Sequence, residues 1–221
     1  VVGSTPSITW DQYPKNIPID ISYSTNNGSN WTNITTVTYD VTAASYPWPI
    51  ANNTNTSNTA KVRIKHGDNP NVVSDTSTAA FAILGWFDIT APENGVPVIA
   101  EELYNITWNN NSINVPNVIL QYCTEDDLVN WTNVYNASDL NATVTNLGYY
   151  EWSSVTGSKL SDNYTIRVID PKHANATNMS QHDAAWAYLR GNLSVEVPNT
   201  GETWNLTEPR NITWAKKGNI S

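Results

Sequence analysis

Apolar and polar residues alternate in short runs along this chain. Ile19-Asp20-Ile21-Ser22-Tyr23, Val62-Arg63-Ile64 and Tyr164-Thr165-Ile166-Arg167-Val168 each place every second residue on one face, the pattern of a half-buried strand. No stretch carries an apolar period close to that of a helix. The runs are bounded by Asn, Gly, Pro or Ser. In the first half they predict strands over Ile19–Tyr23, Trp31–Tyr39, Tyr46–Ile50, Lys61–Lys65 and Ala80–Leu84. Asn27-Gly28 is a hairpin signal, and Pro47 and Pro49 put their strand at an edge or bend. In the second half the predicted strands are Phe87–Ile89, Tyr104–Trp108, Val118–Cys123, Trp131–Tyr135, Ala142–Thr145, Tyr149–Ser153, Tyr164–Ile169 and Ala184–Leu189. Many short strands between turn residues predict an all-β chain of antiparallel, immunoglobulin-like β-sandwiches.

The strands recur. Ile8-Thr9-Trp10 returns as Ile106-Thr107-Trp108 and Ile212-Thr213-Trp214, at spacings of 98 and 106 residues. Between the anchors, Asn30-Trp31-Thr32 matches Asn130-Trp131-Thr132, Tyr46-Pro47-Trp48 matches Tyr150-Glu151-Trp152, and Val62-Arg63-Ile64 matches Ile166-Arg167-Val168. Ala79-Ala80-Phe81-Ala82-Ile83 is matched to Ala184-Ala185-Trp186-Ala187-Tyr188 at an offset of 105, rising to 106 at Gly85 and Gly191. Such a period is one small β domain. The chain therefore reads as residues 1–85, a sandwich lacking its first strand; 86–191, a complete sandwich; and 192–221, a partial third repeat. In the last, Leu193 to Gly201 repeats Phe87 to Gly95. Leu193, Val195 and Val197 then form a strand with no domain of its own, a candidate donor that joins one subunit to the next or begins the next domain.

Composition narrows the function. The net charge is −9 and charged residues make up 14%, a poor basis for binding a phosphate backbone, so nucleic acid is not expected as a partner. No apolar run is long enough to span a bilayer, and the start at Val1 without a signal segment reads as a processed or trimmed ectodomain. The 31 Asn residues accompany 18 Ser and 26 Thr, for which random placement gives about 6 Asn-x-Ser/Thr acceptor sites. The chain has 17: Asn27, Asn30, Asn33, Asn52, Asn55, Asn105, Asn110, Asn130, Asn136, Asn141, Asn163, Asn175, Asn178, Asn192, Asn205, Asn211 and Asn219. That excess predicts an extracellular, cell-surface protein coated with N-linked glycan.

Catalytic chemistry finds little support. Glu101-Glu102 and Asp126-Asp127 are adjacent pairs whose side chains diverge on a strand. His66, His173 and His182 have no metal-ligand spacing, and loop oxygens near Asp68 or Asp162 are only a general calcium possibility. No metal, cofactor or catalytic residue is expected. Cys123 aligns with Ser24, an outward polar position, and reads as a tolerated thiol. Seven of the ten Trp recur at domain spacing, which assigns them to packing. Trp86 and Trp204 do not recur, and are the better candidates for exposed contacts.

Pro92, Gly95, Ile106-Thr107-Trp108, Tyr150, Trp152 and Tyr164-Thr165-Ile166-Arg167 together form a pattern. It resembles the immunoglobulin-like repeat of microbial cell-surface proteins and the related domain of fungal Ser/Thr-rich cell-wall glycoproteins. The sequon density is similar to that of archaeal surface filaments. The resemblance implies a surface, wall-associated or filament-forming role without catalytic residues. The expected function is a structural subunit joined head to tail to copies of itself. A carbohydrate-binding adhesion module is the alternative.

Overall fold

The computed structural model describes residues 1–11, 15–69, 73–110, 112–124, 129–153, 160–173 and 184–220. Among these, one 3-10 turn at Pro171–His173 is the sole helical element; the regular structure is otherwise β. Contacts gather the chain into two compact units. One is Val1–Phe87 with Asn110–Val118 and Ile169–Asn178; the other is Asp88–Asn109 with Ile119–Val168 and Met179–Ser221.

The first unit holds β1 (Ser7–Asp11), β2 (Pro18–Ser24), β3 (Thr32–Thr38), β4 (Ala43–Pro47), β5 (Ser57–His66), β6 (Ser74–Thr76) and β7 (Phe81–Ile83). β1 pairs with β4 in one sheet, and the other runs β3-β2-β5-β6 with β7 also on β5. Asn27-Gly28, both at positive φ, lie in the loop that joins β2 to β3, where glycine meets that conformation without a steric cost. β5 outruns its alternating segment because it serves two neighbours: its first half pairs with β7 and its second with β6. Trp10 and Ala44 from one sheet pack with Ile19 and Ile21 from the other, so the apolar faces of the two sheets close on each other.

The second unit continues with β8 (Phe87–Ala91), β9 (Val96–Ile99), β10 (Tyr104–Asn110), β11 (Asn117–Cys123), β12 (Thr132–Asn133), β13 (Val144–Thr145), β14 (Tyr149–Trp152), β15 (Ser161–Ile169) and β16 (Ala184–Arg190). Its sheets are β14-β10-β8 and β12-β11-β15-β16-β9. The sequence pattern misses β9, because Pro97 breaks its run. A proline is tolerated there because β9 is an edge strand. It pairs parallel to β16, the one parallel pair among otherwise antiparallel pairings whose register is resolved. β17 (Asn192–Val197) and β18 (Thr213–Lys217) complete the chain as a two-stranded antiparallel sheet.

Register corrects the expected match of the last strands. Ser57 faces Ile83 and Ala60 faces Phe81 across β5 and β7; Ser161 faces Leu189 and Tyr164 faces Ala187 across β15 and β16. The offset is therefore 106 throughout, and Phe81 corresponds to Ala187, not Trp186. A one-residue slip moves every side chain to the other face. Trp186 and Tyr188 thus leave the core side and take the outer face, at the positions of Ala80 and Ala82. The corrected register also exposes a reciprocal pair. The first unit sets Ala60 against Phe81, and the second sets Tyr164 against Ala187.

The aromatic centre is shared. Tyr23 and Trp48 lie 5.0 Å apart between ring centroids, and Tyr122 and Trp152 lie 5.1 Å apart, with Tyr164 stacked at 5.4 Å from Tyr122. The Tyr164 hydroxyl is buried and meets no hydrogen-bond partner. Burial, reinforced by Tyr122, pushes its pKa well above the usual value. The unfolded chain then loses this proton near pH 10 while the folded chain keeps it. Stability is complete below that pH and falls as pH rises above it. Tyr164→Phe removes both the orphan hydroxyl and its share of the alkaline loss. It should gain about 1 kcal/mol at pH 8, and more at pH 11, measured by urea unfolding.

Candidate joining edges and glycan-bearing surface

β1 is bonded to β4 on one side, Ile8 opposite Tyr46 and Trp10 opposite Ala44. Its other edge has no partner strand among the described residues. The equivalent strand β10 is flanked on both sides, by β14 and β8, with the Thr107 and Thr90 hydroxyls 2.7 Å apart across the second pair. Beside the open edge of β1 lies a groove of about 410 Å³, walled by Ile8, Trp10, Val62 and Ile64 with Asp75 and Ser77 at its polar rim. A smaller one of about 170 Å³ adjoins it toward Ile17, Ile19 and Val73. An open strand edge above an apolar groove is a ready acceptor for an added strand.

Leu193, Val195 and Val197 lie on β17. Its partner is β18: Leu193 faces Lys216 and Val195 faces Trp214. These are the same two strands as β8 and β10, in which the corresponding Phe87, Ile106 and Trp108 are buried. Here the apolar face stays open, with Leu193, Val195 and Trp214 58%, 52% and 59% exposed. Trp214 therefore departs from Trp10 and Trp108, although all three occupy one sequence position. The loop between these strands is tied by the Glu202 carboxylate, which accepts the Asn199 and Thr200 N–H groups at 3.0 Å; its own backbone N–H and then these two hold its pKa below the usual value.

Of the seventeen acceptor asparagines, Asn175 and Asn178 lie outside the described residues. Asn110 and Asn163 are half-buried, and every other one is exposed. Asn105 and Thr107 turn away from the core while Ile106 and Trp108 enter it, as strand alternation requires.

The remaining aromatic candidates sort by what covers them. Arg63 lies 4.0 Å over the Trp31 ring and Arg167 lies 3.7 Å over Trp131, so each ring has one face stacked by a guanidinium. Arg167 also donates from Nε to Gln121 Oε1 at 2.8 Å, and burial lowers its pKa to about 10. Trp86 is half-buried, its chain N–H donating to Ser112 Oγ at 2.6 Å, and is less exposed than expected. Trp204 is exposed. The outer-face residues Trp186 and Tyr188 escaped the sequence reading because the alignment was one residue off; Gly85 and Gly191, at offset 106, were the available signal.

No cluster of three or more His, Cys, Asp or Glu side chains occurs among the described residues. Glu102 pairs with Lys217 at 2.7 Å and Asp162 with Arg190. Asp126-Asp127 and His182 lie outside the described residues. Cys123 is buried rather than outward, which closes it to a bridge between chains. No described helix is long and apolar enough to cross a membrane.

No protein-family model matches the chain, and no curated protein does. Among solved structures, the fibronectin(III)-like modules of Clostridium thermocellum CbhA are similar at 17% identity, with 85% of each chain covered and a TM-score of 0.27. Dpr2 Ig1-Ig2, in complex with DIP-Theta Ig1-Ig3, is similar at 7% identity over 88% of this chain and 65% of that one, also at a TM-score of 0.27. The fold is an immunoglobulin-like β-sandwich. That assignment stands on the strand pairings above, and likeness at this level adds nothing about activity or partners.

Proposed function

We propose that this protein is a non-enzymatic structural component of a glycan-coated extracellular stalk or filament, built of immunoglobulin-like domains (residues 1–85 and 86–191) with its subunits joined by strand addition. The observation that supports the joining is a pair of complementary elements: the edge of β1 that pairs with no strand among the described residues, beside a groove lined by Ile8, Val62 and Ile64, and the exposed apolar face of β17. Because β17 already holds β18 on one edge, it adds through its other edge. The joined sheet then runs β4-β1-β17-β18, with Leu193, Val195 and Val197 turned into the groove. Such a contact uses different surfaces on the two copies, does not close on itself and propagates into a thread. The glycan coat is supported by the excess of acceptor sites and their exposure.

Electron microscopy of the native material, with intact-mass analysis before and after deglycosylation, tests this reading. The expected result is fibres, with at least half of the seventeen sites occupied. Monodisperse single particles remove the filament, and an unchanged mass removes the coat. A segment preceding Val1 found paired to β1 removes strand exchange between subunits.

A further inference from the structure

The outer face of β16 carries a row of three large side chains, Trp186, Tyr188 and Arg190. Trp186 is 39% exposed. Its ring rests over Gly95, at a position where a Cβ would come within 3.0 Å, and its chain N–H donates to Asn94 Oδ1 at 3.0 Å. Tyr188 lies 5.0 Å from it, edge to face, and the Arg190 guanidinium sits 4.5 Å over the Tyr188 ring while pairing with Asp162. The aromatic row is therefore held in place from both ends. The sandwich itself does not need it, since the first unit has Ala80 and Ala82 at the same positions.

Across the strand pair, Thr165 faces Trp186, and the Trp186 indole N–H donates to Asn163 Oδ1 at 3.4 Å. Asn163-Tyr164-Thr165 is an acceptor site, and its counterpart in the first unit, Thr59-Ala60-Lys61, is not. The aromatic row and the acceptor site occur together in one unit and are both absent from the other. N-linkage replaces a hydrogen on Nδ2 and leaves Oδ1 to accept, so the bond from Trp186 survives attachment and aims the linkage along β16. We infer that the glycan carried by Asn163 is docked on its own domain, the apolar face of its first sugars stacked on Trp186 and Tyr188. An aromatic ring offers such a flat apolar surface with polar groups at its margin. This inference rests on the glycoprotein reading above and adds the place where one chain of sugars lies.

The test uses glycosylated full chain. Thr165→Ser keeps the acceptor site. Thr165→Val abolishes it while leaving Asn163 and its bond from Trp186 in place. Thr165→Val should lower Tm by about 2–4 °C relative to Thr165→Ser. The difference should disappear in a Trp186→Ala background and also when both proteins are deglycosylated; because Thr165 itself faces Trp186, a difference that survives deglycosylation overturns docking. Glycopeptide mass spectrometry should find Asn163 occupied. If Asn163 is occupied and the difference persists without Trp186, docking is wrong. If Asn163 is empty while other sites are filled, the inference fails and the coat stands. If all sites are empty, the glycoprotein reading itself fails.

Discussion

Tyr164→Ala should cost the second unit about 3–5 kcal/mol, and Ala187→Phe in the same protein should return most of that loss. The first unit provides the reason. Its Ala60 sits opposite Phe81, the same two strand positions with large and small exchanged. Tyr164 is fully buried and stacks on Tyr122 and Trp152, so truncation leaves a cavity the neighbours cannot fill. Ala187 is fully buried too, and Ala187→Phe alone overpacks the site at about 1–3 kcal/mol. Together the two changes conserve volume across one cross-strand pair. Urea unfolding of wild type, both single variants and the double variant gives the coupling directly. Additive losses would mean that the two cores do not share one packing plan.

The same pair explains what was legible in the sequence. Strand existence was readable wherever one face is buried, because Ile19, Ile21, Ile106, Trp108, Ile166 and Val168 keep strict alternation. The repeat was readable because Ile-Thr-Trp and Tyr-x-Trp sit on those faces. Alignment of the last strand failed because small Ala residues surround both aromatic sets, and a one-residue slip leaves composition almost unchanged while exchanging inside for outside. β9 was hidden by Pro97. The pairing of β17 with β18 was hidden by distance, since a long polar loop separates strands whose pattern alone does not name a partner. Of the candidate sites, the acceptor asparagines are a local motif and were readable. The groove beside β1 and the Trp186–Tyr188 row are built from strands far apart in sequence, and only the register brings them together.

Val195→Asp should weaken joining between subunits by roughly 30- to 1,000-fold while leaving the monomer folded. In the single chain Val195 is 52% exposed, so a carboxylate there meets water and should change stability by no more than about 0.5 kcal/mol. In the joined sheet that position faces Ile8, Trp10, Val62 and Ile64. Losing a buried valine there removes about 1.5–3 kcal/mol of apolar burial. Desolvating an unpaired carboxylate opposes joining further, and a total of about 2–4 kcal/mol corresponds to the stated loss in affinity. Ala215→Asp is the matched control, because Ala215 faces Ser194 across β18, on the side of the sheet away from Val195 and Trp214, where its charge would remain in water and every acceptor site is kept. Assembly followed by sedimentation, with thermal unfolding of each variant to confirm an intact fold, separates the two. Equal loss from Val195→Asp and Ala215→Asp would point to net charge rather than to the groove. Normal polymerisation of Val195→Asp would show that β17 does not enter it.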